Sequence, residues 1–149
     1  MREIDIGYAT VLAGRITYVG ELGWELYVPT EFAVSVYEAL CAAGADLGLR
    51  DAGYYALESL RLEKGYRAWG SDIGPDHTPV EAGHAWAVKM RSGTPFLGRD
   101  AIAAQLATGV KKRLATFTAA PEVVLLGRET IYRNGERVGW LSSGGYGHT

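Results

Sequence analysis

The sequence is short of sulfur and imidazole: one cysteine, two methionines and three histidines (His77, His84 and His148) in 149 residues. A single thiol excludes an internal disulfide, and so sparse a set of His and Cys excludes a zinc site of familiar ligand spacing. Charge of one sign is lacking too. Fifteen Lys and Arg stand against seventeen Asp and Glu, a net charge of −2, which leaves no electrostatic footprint for non-specific nucleic-acid binding and no basic face for an acidic membrane. No stretch approaches the ~18 uninterrupted apolar residues of a membrane span, and the N-terminal MREIDIGYATVLAG lacks the apolar run of a signal peptide. The chain therefore reads as intracellular and soluble, cytoplasmic or, in a eukaryote, in the mitochondrial matrix. Also missing are the glycine-flanked serine of a hydrolase elbow, a Walker phosphate loop and a dinucleotide fingerprint.

What is present is the composition of a globular chain with a core: 48% apolar, 11% aromatic and 21% charged. Arg15 to Val19 and Trp24 to Val28 are β-branched and aromatic and flank Gly20-Glu21-Leu22-Gly23, which predicts a hairpin. Alternation along its second strand sends Trp24, Leu26 and Val28 one way and Glu25 and Tyr27 the other. Thr30 is placed to cap a helix whose face carries Phe32, Val36, Leu40 and Ala43 and which ends at Gly44. Asp51 is placed to cap a second, with Tyr54, Leu57 and Leu60 on one face, Glu58 and Arg61 paired a turn apart, and Gly65 closing it.

From Tyr66 to Gly83 no period is visible, so a long loop is expected, with Asp72 and Asp76 as turn and cap residues. His84 to Met90 alternates as a strand, and Gly98 and Asp100 introduce a helix to about Leu106. Lys111 to Thr118, Glu129 to Arg133 and Arg137 to Ser142 read as short strands, the last two joined by Asn134-Gly135, the strongest hairpin signal in the chain. Mixed α+β thus gives way to pure β, which places a domain boundary near Thr108 to Lys111. The end, SSGGYGHT, stops in a glycine-rich turn after a strand with nothing to pair it, so the chain reads as a fragment.

Few residues suggest chemistry on their own. Cys41 lies among alanines and leucines and reads as a packed thiol. The glycines of GGYGHT offer N–H groups to an anion, but a plain turn accounts for them as well. Glu21 belongs to a turn and reads as solvated. Glu25 leaves two alternatives open: an exposed face of an edge hairpin, or a buried face beside Tyr18 and Tyr27, where the carboxylate needs a fixed donor or a ligand that brings donors.

The segments RITYVGELGWELYVP, ESLRLEKGYRAWG, TPVEAG, TPFLGRDA and TIYRNGERVGWLSSGGYGHT, in this order over nearly the whole chain, resemble the second half of the glycine-cleavage T-protein (aminomethyltransferase) family. More narrowly they resemble the folate-binding C-terminal region of the sarcosine and dimethylglycine dehydrogenases. The resemblance implies an α+β fold: the C-terminal part of a ferredoxin-like folate-binding domain over 1–108, then the start of an all-β barrel or jelly-roll-like domain over 109–149. It implies tetrahydrofolate as cofactor, with Glu25 holding the pterin, whose adjacent amino and ring N–H groups a carboxylate can accept together. Tyr18 falls where relatives pack an aromatic ring on the pterin, and Tyr66 where they place a folate-contacting tyrosine. Trp69 is a pocket wall or an ordinary core residue.

The parent activity implied is transfer of an aminomethyl or iminium carbon to N5 of tetrahydrofolate, from a small N-methyl or aminomethyl donor. FAD is expected only in a separate upstream domain, and the partner is the family's N-terminal half or another subunit. Glycine-cleavage members have an Arg-Asp pair where this chain has Leu57-Glu58, which favours the dehydrogenase-like branch. The family's proton-transferring aspartate belongs to the N-terminal half, so no catalytic residue is carried over. Two other classes stay open: a non-catalytic truncated module that docks on a subunit or domain, and a transferase of the same fold acting on a sulfur or oxygen methyl donor.

Overall fold

A computed structural model describes residues 1–148. Two compact units are present: Met1–Tyr66 together with residues 147 and 148, and Arg67–Tyr146. The expected sequence domains meet instead at 108 and 109.

The first unit is built on a three-stranded antiparallel sheet, β1 (Arg2–Ile6), β2 (Ala9–Gly14) and β3 (Glu25–Tyr27), in that spatial order. Alternation in β2 decides which face is the core: Ala9, Val11 and Ala13 are buried while Thr10 and Leu12 are exposed. Against the buried face packs α1 (Ala33–Gly44) through Val36, with Ile6, Leu26, Val28 and Phe32 around the cluster. The second helix, α2 (Tyr54–Glu63), follows.

The predicted hairpin is shifted. Leu12, Ala13 and Gly14 pair with Tyr27, Leu26 and Glu25, so the partner of β3 lies in residues 9–14 and not in 15–19. The Ile16 N–H donates to the Gly14 carbonyl at 2.9 Å, turning the chain out of the ladder, and the Thr17 hydroxyl takes the Val19 N–H at 3.2 Å in place of a strand partner. Neither predicted cap is one. Thr30 opens a short 3₁₀ turn (Thr30–Phe32) before α1, and the residue that caps α2 is Gly53, with no side-chain bond. Asp51 accepts the Tyr37 hydroxyl instead, at 2.9 and 3.0 Å.

In the second unit the regular elements are α3 (Arg99–Thr108) and the ribbon of β4 (Thr130–Arg133) and β5 (Glu136–Trp140). Asn134 and Gly135 have φ of 54° and 83°, the left-handed pair that a tight hairpin turn requires. His84–Met90 is not a strand. Thr78 and Glu81 exchange bonds, Glu81 Oε2 taking the Thr78 N–H at 3.0 Å and Thr78 Oγ1 the Glu81 N–H at 3.2 Å. This reciprocal cap starts a helical turn, and the chain continues into 3₁₀ at Ala85–Ala87. A run this short fits both periods, and no ladder partner fixes the extended form. Lys111–Thr118 likewise forms no strand. Its Leu114 N–H reaches the Glu81 carbonyl at 2.9 Å, without a ladder around it.

Candidate functional site

The end of α2 positions the first candidate residue. Gly65, at φ 71°, reverses the chain; its N–H donates to the Leu62 carbonyl at 2.9 Å and that of Tyr66 to the Arg61 carbonyl at 2.8 Å. These two bonds form a Schellman cap that fixes the exit of Tyr66 from the helix. Its half-buried ring lies stacked with that of Tyr18, centroids 6.2 Å apart and planes at 24°. Tyr18 comes from the connection between β2 and β3. Just after it, Gly20 leaves room for the Lys64 side chain, whose Cγ would be 2.7 Å from a Cβ at that position. The two segments that deliver Tyr18 and Tyr66 are thus in direct contact, with no space for a larger residue at 20.

Glu25 opens β3 on the sheet face opposite the core and is half-buried. Its Oε2 accepts the Tyr27 hydroxyl at 2.9 Å, as residues i and i+2 of one strand face can. That bond pushes the Tyr27 phenol above its ordinary value, because losing the proton would set two negative charges side by side. A carboxylate has about four acceptor positions, so further donors can be taken at Glu25.

Tyr18 and Tyr66 are therefore brought together, and Glu25 is brought to Tyr27. Trp69 belongs to the second unit and is 73% exposed, so it is no core residue. A groove of about 570 Å³ runs along the sheet, with Glu3, Thr10, Leu12, Tyr27 and Pro29 among its lining; Tyr18, Glu25 and Tyr66 do not line it. Among the described residues there is no helix long and apolar enough to cross a membrane and no group of three potential metal ligands.

Three features escaped the sequence reading: the burial of Arg61, the long-range bonds of Asp72 and the cap between Thr78 and Glu81. Arg61 is 1% exposed and donates to Glu58 and to the Tyr66 carbonyl. The pairing with Glu58 was visible from spacing, but helix periodicity marks charged positions as solvated and so hides the burial. Asp72, 6% exposed, accepts the Ala68 N–H at 2.9 Å and the hydroxyls of Ser142 and Ser143 at 2.7 and 2.6 Å. A turn aspartate was foreseeable; its bonds to serines 70 residues away were not. The Thr78-x-x-Glu81 cap had a readable signature in TPVEAG. The glycine-rich SSGG run packs on its own unit, since a Cβ on Gly144 would come within 2.8 Å of the Leu125 carbonyl oxygen.

With this geometry in place, comparison with known proteins assigns the lineage. The family profile described as "GCVT N-terminal domain" matches residues 1–92. The chain belongs to the glycine cleavage T-protein family. A second profile, "Glycine cleavage T-protein C-terminal barrel domain", matches residues 112–149. Mouse mitochondrial sarcosine dehydrogenase is 49% identical over 139 residues, which is 93% of this chain and 15% of that protein. The mouse mitochondrial pyruvate dehydrogenase phosphatase regulatory subunit is 42% identical over 154 residues, 99% of this chain and 18% of that one. Among solved structures, the glycine cleavage system aminomethyltransferase T of Bartonella henselae superposes with a TM-score of 0.69 at 33% identity, covering 91% of this chain and 37% of that one. The mixed α/β architecture with small sheets is that of this T-protein family. The chain spans less than a fifth of the two mouse relatives.

Proposed function

We propose that these residues supply the pterin-anchoring part of a tetrahydrofolate-dependent aminomethyl or methylene transferase, in a protein of the sarcosine or dimethylglycine dehydrogenase kind. The observation that carries it is the stacked Tyr18–Tyr66 pair in the same unit as a half-buried carboxylate, Glu25, with acceptor positions to spare. The donor set fits the group: a pterin edge presents adjacent N–H donors that a carboxylate accepts, and its flat ring matches aromatic walls. Tetrahydrofolate would supply N5 as acceptor of the one-carbon unit. Glu25 would fix the orientation of the ring, Tyr27 would hold the Glu25 carboxylate, and the stacked Tyr18–Tyr66 pair would form an aromatic wall against the ring and exclude water there.

The finer architecture goes with this reading. Residues 1–108 would be the C-terminal part of a ferredoxin-like folate domain, and 109–149 the start of a barrel or jelly-roll-like domain. The T-protein profiles over 1–92 and 112–149 support that division. The donor would be a small N-methyl or aminomethyl compound, FAD would sit in a separate upstream domain, and the protein would work in the cytoplasm or mitochondrial matrix.

Titration calorimetry with tetrahydrofolate tests the anchor. Glu25→Gln exchanges a charged acceptor pair for one acceptor and a clashing amide donor, which should weaken binding about tenfold, the equivalent of ~1.4 kcal/mol. Equal binding by both proteins overturns the role of Glu25. A second reading, a non-catalytic module acting by docking, is favoured by the likeness to a protein named as a regulatory subunit. Absence of folate binding in the wild-type chain would favour it.

A further inference from the structure

Both peptide groups of Tyr66 end on the same residue. Its N–H donates to the Arg61 carbonyl at 2.8 Å, and its carbonyl accepts Arg61 Nη1 at 3.0 Å. The N–H belongs to the peptide plane before Tyr66 and the carbonyl to the plane after it. Holding both planes fixes φ and ψ of Tyr66, and with them the direction in which its ring leaves the backbone. The first of these bonds is the helix cap's own; the second comes from the guanidinium, which is 1% exposed and whose Nη2 donates to the carboxylate of Glu58 one helical turn earlier. A buried guanidinium is costly unless its hydrogen bonds are aimed and its charge is met. Because the fork is planar and rigid, fixing Nη2 on Glu58 also fixes the direction of Nη1 toward Tyr66.

We propose that Arg61 is a positioning residue for the Tyr18–Tyr66 aromatic pair, and that Glu58 acts through it. This rests on the assignment of the two rings to the folate pocket, but its first readout needs no folate. In the 149-residue chain with isotope-labelled tyrosines, the ring-to-ring contact of Tyr18 and Tyr66 is followed by NMR, and tetrahydrofolate is titrated in parallel. Arg61→Lys keeps the charge but loses the fork; it should abolish the ring contact with helix content retained and weaken folate binding about tenfold. Glu58→Gln, at a side chain 53% exposed, leaves the core intact; it should loosen the contact and weaken binding about threefold.

A ring contact unchanged in either folded variant overturns the proposal. If Arg61→Lys does not fold, Glu58→Gln decides alone. A wild-type chain with the ring contact but no folate affinity sinks the folate assignment and leaves the positioning role to stand on the NMR result. Loss of the contact with undiminished folate affinity overturns the role of Arg61 in binding.

Discussion

The two compact units are held together by different chemistry. In the first, a sheet of three strands turns Ala9, Val11 and Ala13 toward Val36, and burial of apolar side chains orders the rest. In the second, the buried apolar residues are only Val80 and Ala82, and long loops are tied by side chains that accept backbone N–H groups. Asp72 holds Ala68, Glu81 holds Thr78, and Glu129 holds Leu126 and Gly127 at 2.9 Å each. An irregular backbone has no ladder to satisfy its polar groups, so carboxylates do this instead. The difference teaches where each unit is fragile: the first to loss of volume, the second to loss of charge.

The strongest way to break this comparison is at Asp72. Asp72→Ala would leave the Ala68 N–H and the Ser142 and Ser143 hydroxyls without their buried acceptor. We expect a loss of about 3 kcal/mol in denaturant titration. Amide exchange should accelerate at 68–73 and 142–144 while β1 and β2 keep their protection. Equal acceleration in both units would dissolve the distinction. The converse substitution is Val11→Ala, at a side chain 1% exposed, where the removed methyls leave a cavity in the sheet core. A loss of about 2 kcal/mol is expected, with the faster exchange now in β1 and β2.

The same contrast explains what the sequence could and could not tell. Helices α1, α2 and α3 and the β4–β5 ribbon were legible because period, glycine stops and Asn134-Gly135 are local signals. The alternation of Ala9 to Ala13 was just as local, but a richer β-branched run at 15–19 drew the strand away from it. What decided the matter was pairing of residues 12–14 with 25–27, which no single segment encodes. The strands expected at 84–90 and 111–118 failed for the same reason, a pattern without a partner. At the candidate site, Tyr18 and Tyr66 were found by resemblance to a family, and their stacking depends on a helix cap and on Arg61. The cap was half-visible in Gly65. A buried arginine in an LRLEK run looks like a surface charge until the carbonyl it serves is seen.

Acid should separate the units next. Thr78 and Lys112 hold the Glu81 carboxyl below its usual 4.5, the backbone N–H of Thr78 foremost. The N–H groups of Leu126, of Glu129 itself and of Gly127 do the same for Glu129, against the opposing effect of desolvation. A carboxyl depressed in the folded state adds stability that is complete above the unfolded value and is lost as pH falls through the folded one. The second unit should therefore loosen first as pH drops below about 4.5, seen as early exchange at 78–84 and 126–129. Glu81→Gln should flatten that dependence. A first unit that loosens at higher pH than the second would contradict the assignment of charge to the second.

The smallest effect sharpens the comparison from the alkaline side, in the first unit. The Tyr37 hydroxyl donates to the Asp51 carboxylate, and this bond, with a smaller contribution from Cys41, pushes its phenol up to about 12. A tyrosine raised in the folded state contributes stability that is whole below its unfolded value of about 10 and is lost as pH rises through the folded one. Spectrophotometric titration of the nine tyrosines should thus show a component ionising near 12, removed by Tyr37→Phe. Because Tyr37 is 52% exposed, the substitution should barely move the melting temperature at neutral pH. A marked drop would mean that the first unit depends on polar ties beyond the buried one of Arg61, and the contrast with the second would then be one of degree.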